Sequence, residues 1–350
     1  MRLVSPRHLW SLVGGMLIAA LALLPACTPT EVTPSDEGGS DSVSLVILGF
    51  TAGGSMQMRA DALAEAVRLE HPDWQVASLA PGGEARLIEA RINGEADFYL
   101  PPVFRRLEVE VHAPLHPDID YEQATDYRLV MPSSFVYVHL FALDRTGLTS
   151  FSDLVARRYP FTLGVGAGNV RLLWDKMLRY YGSSIQDTEA WGAHYETMLM
   201  SSAEGVEALQ SGRVDMGFTY GALPNPAYMG AEFDLGLLDI ADPGLVQALE
   251  AYGCVPGTIP AGTYPFVDAD VTTVGTQESF VTRPDMPDDI VYAVCEAMFA
   301  HQDVLLTAHP ASGRQLTPEA IAAAVVFAEK NGLSFHPGAL KYFRDQGWLD

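Results

Sequence analysis

The sequence predicts an α/β fold built from two similar units, and three observations indicate it. From Val43 onward, short apolar runs typical of strands alternate with segments whose apolar residues recur at spacings of three and four, the period of a helix. The strand candidates are continuously apolar, which is typical of a parallel sheet covered by helices on both faces. Both units also begin with the same order of strand, glycine-rich turn and helix.

The first unit opens with the segment VILGFTAGGSMQMRADALAEAV, residues 46–67. Its helix shows the clearest period, since Met56, Ala60, Leu63 and Val67 fall on one face. A loop rich in proline and histidine covers 101–126. We predict strands at 45–50, 74–79, 96–100, 128–131 and 135–143, and helices at 55–69 and 84–92.

The second unit repeats the theme with strand 161–165, the turn at Gly166–Asn169 and helix 170–181. The last three predicted helices each open with a proline near the first turn. Further predicted strands are 214–219, 235–240 and 270–282, and further helices are 203–211, 244–251, 287–301, 318–330 and 337–346.

Two long extended segments, 135–143 and 270–282, join the units. They predict a discontinuous domain I, made of residues 44–144 plus 270–350, and a domain II of residues 145–269.

The N-terminus has the layout of a secretory signal. Arg2 and Arg7 precede an uncharged apolar run over 9–24. Sixteen residues are short for a membrane-spanning helix, which needs about 20. The run ends in Leu24-Pro25-Ala26-Cys27, which resembles a bacterial lipobox. An ordinary signal peptide with an incidental cysteine is the alternative.

We therefore predict a lipoprotein signal peptide over 1–26, lipidation of Cys27, and a flexible tether over 27–43, rich in Pro, Gly and Ser. Stable anchoring takes at least two lipid signals, which a mature lipoprotein carries. The protein is then extracytoplasmic, on the periplasmic side, and contacts the membrane through its lipid anchor only.

The charge excludes several partners. The formal net charge of −23 becomes −25 once Arg2 and Arg7 are removed with the signal. Such a surface repels nucleic acid and anionic lipid. The mature domain after the tether keeps Cys254 and Cys295, which could pair in an oxidising compartment or remain buried free thiols.

The glycine turns do not match enzyme motifs. Thr51–Ser55 lacks the lysine of a phosphate loop, and the third position after Gly164 and Gly166 is Asn169 rather than the glycine of a dinucleotide fingerprint. No nucleophile elbow is present, and no cysteine–histidine spacing suits zinc. We expect no catalytic residue, metal or cofactor, and hence no enzyme; a secreted enzyme on a similar scaffold is an alternative.

The two turns instead suit an anion. A glycine turn that leads into a helix presents unpaired backbone N–H groups and the positive end of the helix dipole. That arrangement binds a carboxylate, phosphate or sulfate. Either turn could instead be only a tight connection, but two in an exported protein favour ligand binding.

Six segments together resemble the TAXI-type solute receptors of tripartite ATP-independent periplasmic (TRAP) transporters, over residues 45–348. Departures lie at Met56–Met58, where the family usually has aromatic residues, and at Pro101-Pro102, where it tends to be polar. The segments are GFTAGGSMQM (49–58), APGGEARLIEARINGEADF (80–98), GVGAGNVRLLWDKMLRYYG (164–182), EGVEALQSGRVDMGFTYGALPNPAYM (204–229), the stretch 261–294, and LSFHPGALKYFRDQG (333–347).

The resemblance implies a two-domain periplasmic-binding-protein architecture (type II-like, Venus-flytrap) that closes on a small organic anion, a carboxylate, and delivers it to TRAP permease subunits. A ligand-sensing receptor of the same fold, coupled to a signalling protein, is the alternative. The methionines indicate a ligand with an apolar part. The predicted ligand-binding residues are Thr51, Ala52, Gly53, Gly54, Ser55, Met56, Arg59, Gly166, Gly168, Asn169, Val170 and Tyr220. Arg59, at the edge of the apolar stripe, could equally be surface charge.

Overall fold

The computed structural model describes residues 42–50, 52–82, 84–101, 107, 109–110, 113–114, 117, 120 and 126–350. The predicted signal peptide, Cys27 and most of the tether lie outside these residues, and so does Thr51.

Strands and helices alternate through the first part of the chain, as the sequence predicts. Its elements are β1 (Ser44–Leu48), α1 (Ser55–Glu70), β2 (Gln75–Leu79), α2 (Glu84–Ile92), β3 (Phe98–Tyr99) and β4 (Arg128–Leu143). The same alternation continues to β10. These elements are α3 (Phe151–Arg157), β5 (Thr162–Val165), α4 (Asn169–Tyr180), α5 (Ile185–Glu189), β6 (His194–Thr197), α6 (Ala203–Gln210), β7 (Met216–Gly221), β8 (Leu235–Leu237), α7 (Pro243–Glu250), β9 (Val255–Ile259) and β10 (Val271–Thr282). Helices follow to the C-terminus. They are α8 (Asp288–Ala300), α9 (Gln302–Ala308), α10 (Pro310–Gly313), α11 (Pro318–Lys330) and α12 (Pro337–Asp345).

The described strands form one sheet in the order β2-β1-β3-β10-β4-β7-β5-β6, with β8 paired to β4 and β9 to β10. One end is parallel, because β1 runs parallel to β2 and β3. The other end is parallel too, because β5 runs parallel to β6 and β7. Between them lie the two long antiparallel strands β4 and β10, which we call the crossing strands. The predicted α/β class is confirmed, but the sheet is mixed rather than wholly parallel, because the crossing strands run antiparallel to their neighbours.

The prediction of two separate strands at 128–131 and 135–143 is wrong, because β4 runs unbroken through Pro132. Pro132 lies opposite Ser279, beside the register shift between Glu278 and Ser279. A proline cannot donate to the ladder, so strands accommodate it at such irregularities.

The described buried hydrophobic residues form three large clusters. One cluster takes its buried residues from 45–131 and 280–343, and so combines the two ends of the described chain. The other two large clusters draw on 107–274 and on 141–267. The domain division at 144 and 270 stays a prediction.

Cys254 and Cys295 are free thiols with no exposed surface. Of the two states that the sequence left open for Cys254 and Cys295, the structure has the unpaired one. Burial raises the pKa of each thiol.

Across the described part of the chain, no single helix is long and apolar enough to cross a membrane. Only α8 and α9 taken together, with a bend of 66° between them, have the length and composition for it.

Candidate functional site

A cavity of about 490 Å³ opens between the start of α1 and the start of α4. Its walls come from the ends of parallel strands, from both crossing strands and from the α9–α10 junction. The described residues that line it are Phe50, Ser55, Met56, Arg59, Ser134, Val136, Gly166, Ala167, Asn169, Val170, Thr197, Met198, Leu199, Ser201, Thr219, Tyr220, Gly221, Ala222, Glu278 and His309.

The first wall is the N-terminus of α1, a helix of 16 residues. Gly54 stands at the N-cap in an extended conformation and offers no side chain to cap the helix. Gly53, just before it, has a φ of +74°, a left-handed conformation that glycine adopts without strain. Ser55 and Met56, in the first turn, contact the cavity.

The second wall is the N-terminus of α4, which has 12 residues. Gly168 is its N-cap, at a φ of +69°, again a conformation that suits glycine. A β-carbon on Gly166 would lie 2.9 Å from Cγ1 of Val170, so the turn packs closely on the helix it leads into. Asn169 is buried at 4% exposure beside the cavity.

These two helix ends differ from the other well-defined ones. Side chains cap most helix N-termini; examples are Ser150 on α3, Asp242 on α7 and Thr317 on α11. Helices α6 and α8 lack a capping side chain but carry acidic residues in their first turns. Among the helices whose N-caps are described, α1 and α4 alone have neither a capping side chain nor an acidic first-turn residue. Their first-turn N–H groups and positive dipole ends are left for a ligand.

Arg59 is buried, so it is not the surface charge that the sequence had left open as an alternative. Its side chain is 2% exposed and forms an ion pair with Glu278, at 2.5 Å between Nη1 and Oε2. Nη1 also donates to Ser133 Oγ at 3.0 Å, and Nε donates to the carbonyl of Ser55 at 3.1 Å. The guanidinium therefore connects the first turn of α1 to both crossing strands at the cavity wall.

His309 is a further ionisable group on the wall. Its Nδ1 caps α10 by accepting from the backbone N–H of Ser312 at 3.2 Å and lies 2.8 Å from the Ser312 hydroxyl. The ring proton therefore sits on Nε2. Burial, reinforced by the charge of Arg59, lowers the pKa of His309 to about 4, so the imidazole is neutral at pH 7.

The structure brings seven of the twelve predicted ligand-binding residues to one cavity. They are Ser55, Met56, Arg59, Gly166, Asn169, Val170 and Tyr220. Four others shape the turns without lining the cavity, namely Ala52, Gly53, Gly54 and Gly168. Thr51 is outside the described residues.

Apart from Tyr220, sequence reasoning missed the carboxyl ends of β6 and β7 and the residues that follow them, which supply Thr197–Leu199 with Ser201, and Thr219, Gly221 and Ala222. A signal for them existed, because ligands of α/β sheets bind beyond the carboxyl ends of the parallel strands. Glu278 had no such signal. It sits within a crossing strand and reaches Arg59 from 219 positions away in the chain.

Much of the lining is apolar. Phe50 lies on the α1 side, Val136 on β4, and Met198 and Leu199 on the β6 loop, while Met56 adds the flexible side chain noted in the sequence. Within the described residues, no group of three or more His, Cys, Asp or Glu side chains is placed to hold a metal ion. The described wall offers hydrogen bonds, the Arg59–Glu278 ion pair and apolar contacts.

Comparison with solved structures shows the fold. A periplasmic transporter superimposes with a TM-score of 0.50 at 15% identity, over 88% of this chain and 98% of its own. XAC2383 from Xanthomonas citri, bound to ATP, gives 0.50 at 12% identity, over 87% and 99%. A TctC solute-binding protein from Polaromonas gives 0.49 at 15% identity, over 89% and 100%. The predicted two-domain periplasmic-binding-protein architecture is confirmed at the level of the fold.

No curated protein matches the chain. A family model does, over residues 118–347, which are 230 of the 350 residues and include the β4–β10 region and most of the cavity wall. By that match, the chain belongs to the NMT1-like family.

Proposed function

We propose that this protein is an extracytoplasmic solute-binding receptor that captures a small organic carboxylate in the cavity between α1 and α4 and delivers it to a membrane transporter. The coarse part, solute binding outside the cytoplasm, rests on the family and on the periplasmic-binding-protein fold. The finer parts rest on the site and on the sequence.

One observation carries the choice of an anion. Two helix N-termini without capping side chains or first-turn acids meet at one cavity, whereas the other described helix starts are capped or carry acids. Backbone N–H groups at helix N-termini bind carboxylates, phosphates and sulfates. We favour a carboxylate because half the wall is apolar and, among its described residues, Arg59 supplies the only full positive charge, already paired with Glu278. A phosphate dianion asks for more positive charge than that.

The transporter we propose is an ion-coupled permease of the TRAP type, and the receptor is lipid-anchored through Cys27. The motif order that resembles TAXI receptors supports the first point, and the lipobox-like Leu24–Cys27 supports the second. Uptake into vesicles that contain the partner permease should require this receptor and an ion gradient. Uptake driven by ATP instead would contradict the TRAP assignment.

Mass spectrometry of protein purified without added solutes, followed by calorimetry with the compound found, tests carboxylate binding. Val170→Asp puts a carboxylate in the first turn of α4, where it competes with the ligand for the helix end. We expect at least a tenfold loss of affinity. Gln186→Asp adds the same charge at an exposed first-turn position of α5 and should leave affinity unchanged. Equal binding by wild type and Val170→Asp, or a ligand without an anionic group, would refute the proposal.

A further inference from the structure

The Arg59–Glu278 pair leaves one hydrogen-bond donor and one acceptor at the cavity wall. Nη1 uses both of its N–H groups, on Glu278 and Ser133, and Nε uses its own on the carbonyl of Ser55. Nη2 has a single contact, with Ser55 Oγ at 3.4 Å. One of the five N–H groups of a guanidinium therefore has no acceptor among the described residues. On Glu278, Oε2 takes Arg59, and no described group donates to Oε1.

The ionisable groups on the described wall sum to no net charge. Arg59 and Glu278 cancel, and His309 is neutral because its pKa is lowered to about 4. Tyr220, the remaining ionisable residue of the wall, is a phenol and neutral at pH 7. Among the described groups of the wall, only the two helix N-termini then add positive potential. A ligand with one negative charge meets these dipoles, whereas a second negative charge meets the Glu278 carboxylate.

Glu278 stays on Arg59 when the ligand binds. Its side chain is 8% exposed, and removing a partner from a buried ion pair leaves an uncompensated charge, which is strongly unfavourable. A ligand carboxylate therefore adds to the pair and does not replace Glu278.

We propose that Glu278 is a specificity-determining residue, an inference that rests on the proposed function. It neutralises Arg59 and presents Oε1 to the cavity, so the site accepts carboxylates that carry one net negative charge or a balancing donor and rejects dicarboxylates.

Two four-carbon probes of matched length test this: butanedioate and 4-aminobutanoate. Calorimetry on wild type and Glu278→Gln gives the affinity ratio of butanedioate to 4-aminobutanoate. Glutamine keeps the size and removes the charge, so we expect this ratio to rise at least tenfold in the variant. Glu65→Gln removes an acid paired with an arginine of the same helix on the exposed face of α1 and should leave the ratio as in wild type. A ratio that Glu278→Gln does not change, including no response from either protein, overturns the proposal.

Chemical rescue examines the same residue without any physiological ligand. Glu278→Ala leaves Arg59 buried beside an enlarged cavity, so acetate should raise the melting temperature of this variant more than an equal concentration of chloride does. The difference between the two salts should be smaller in wild type and in Glu65→Ala, which both keep the Glu278 carboxylate on Arg59. Equal responses in Glu278→Ala mean that small carboxylates do not reach Arg59, and they overturn the proposal; Glu278→Gln supplies the calorimetric test if Glu278→Ala does not fold.

The two hypotheses fail separately. If the ligand found has no anionic group but acetate rescues Glu278→Ala, the proposed function is wrong and the charge role of Glu278 stands. If a carboxylate is found but the probe ratio stays the same in Glu278→Gln, only the role of Glu278 is wrong.

Discussion

Acidification should destabilise this protein through His139, a fully buried residue of the crossing strand β4. Its Nδ1 donates to the carbonyl of Tyr137 at 2.9 Å, and its Nε2 accepts from the hydroxyl of Tyr264 at 2.8 Å. The same hydroxyl oxygen accepts from the backbone N–H of Asn225 at 2.8 Å. A proton on Nε2 would charge a ring that has no access to water and leave the Tyr264 hydroxyl proton without its acceptor.

The pKa of His139 sets both the size and the direction of this change in stability. Burial lowers the pKa of His139 from 6.5 to about 4, so between these values the unfolded chain binds a proton that the folded chain does not. The neutral ring's contribution is complete above pH 6.5 and is lost as the pH falls toward 4. A difference of about 2.5 pKa units corresponds to about 3 kcal/mol of unfolding free energy.

Urea unfolding from pH 7.5 to 4 measures this in wild type and in His139→Gln, which keeps a donor and an acceptor but does not titrate. The other histidines with lowered pKa values, His309 and His336, are present in both proteins and cancel in the difference. We expect the stability advantage of wild type over the variant to shrink by about 3 kcal/mol across this range. Parallel pH profiles for the two proteins would show that His139 does not titrate on unfolding.

Three further predictions concern other parts of the chain. Ellman's reagent should leave Cys254 and Cys295 unmodified in the folded Cys27→Ser variant and should titrate two thiols in urea, because burial raises the pKa of both. Modification of either thiol in the folded protein would contradict their burial. Cys27→Ser should move the protein from the membrane to the soluble fraction without changing ligand affinity, and retention at the membrane would refute the lipid anchor. Tyr228→Phe should lower the free energy of unfolding by about 1–3 kcal/mol, because the Tyr228 hydroxyl donates a buried hydrogen bond to the backbone carbonyl of Met200 at 2.6 Å. A melting temperature equal to that of wild type would mean that water replaces this bond.

The sequence alone predicts those features that are local. The strand, glycine turn and helix at the start of each unit depend on neighbouring residues, so periodicity and glycine placement were enough to locate α1 and α4. The α/β class follows from the alternation of these elements. Segments without a clear period escaped notice: β6 is a half-exposed edge strand, and β9 contains both a proline and a glycine.

The tertiary structure decided everything that depends on residues far apart in the chain. The helical period places Arg59 at the edge of an apolar stripe, but only the arrival of Glu278 from β10 and Ser133 from β4 makes it a buried ion pair instead of a surface charge. The continuity of β4 through Pro132 likewise depends on a register shift in its partner strand. A sequence records which groups can form hydrogen bonds and how they repeat. The packing of elements more than 200 positions apart decides which of these groups meet. It therefore decides whether a charge is paired inside the protein or is available to a ligand.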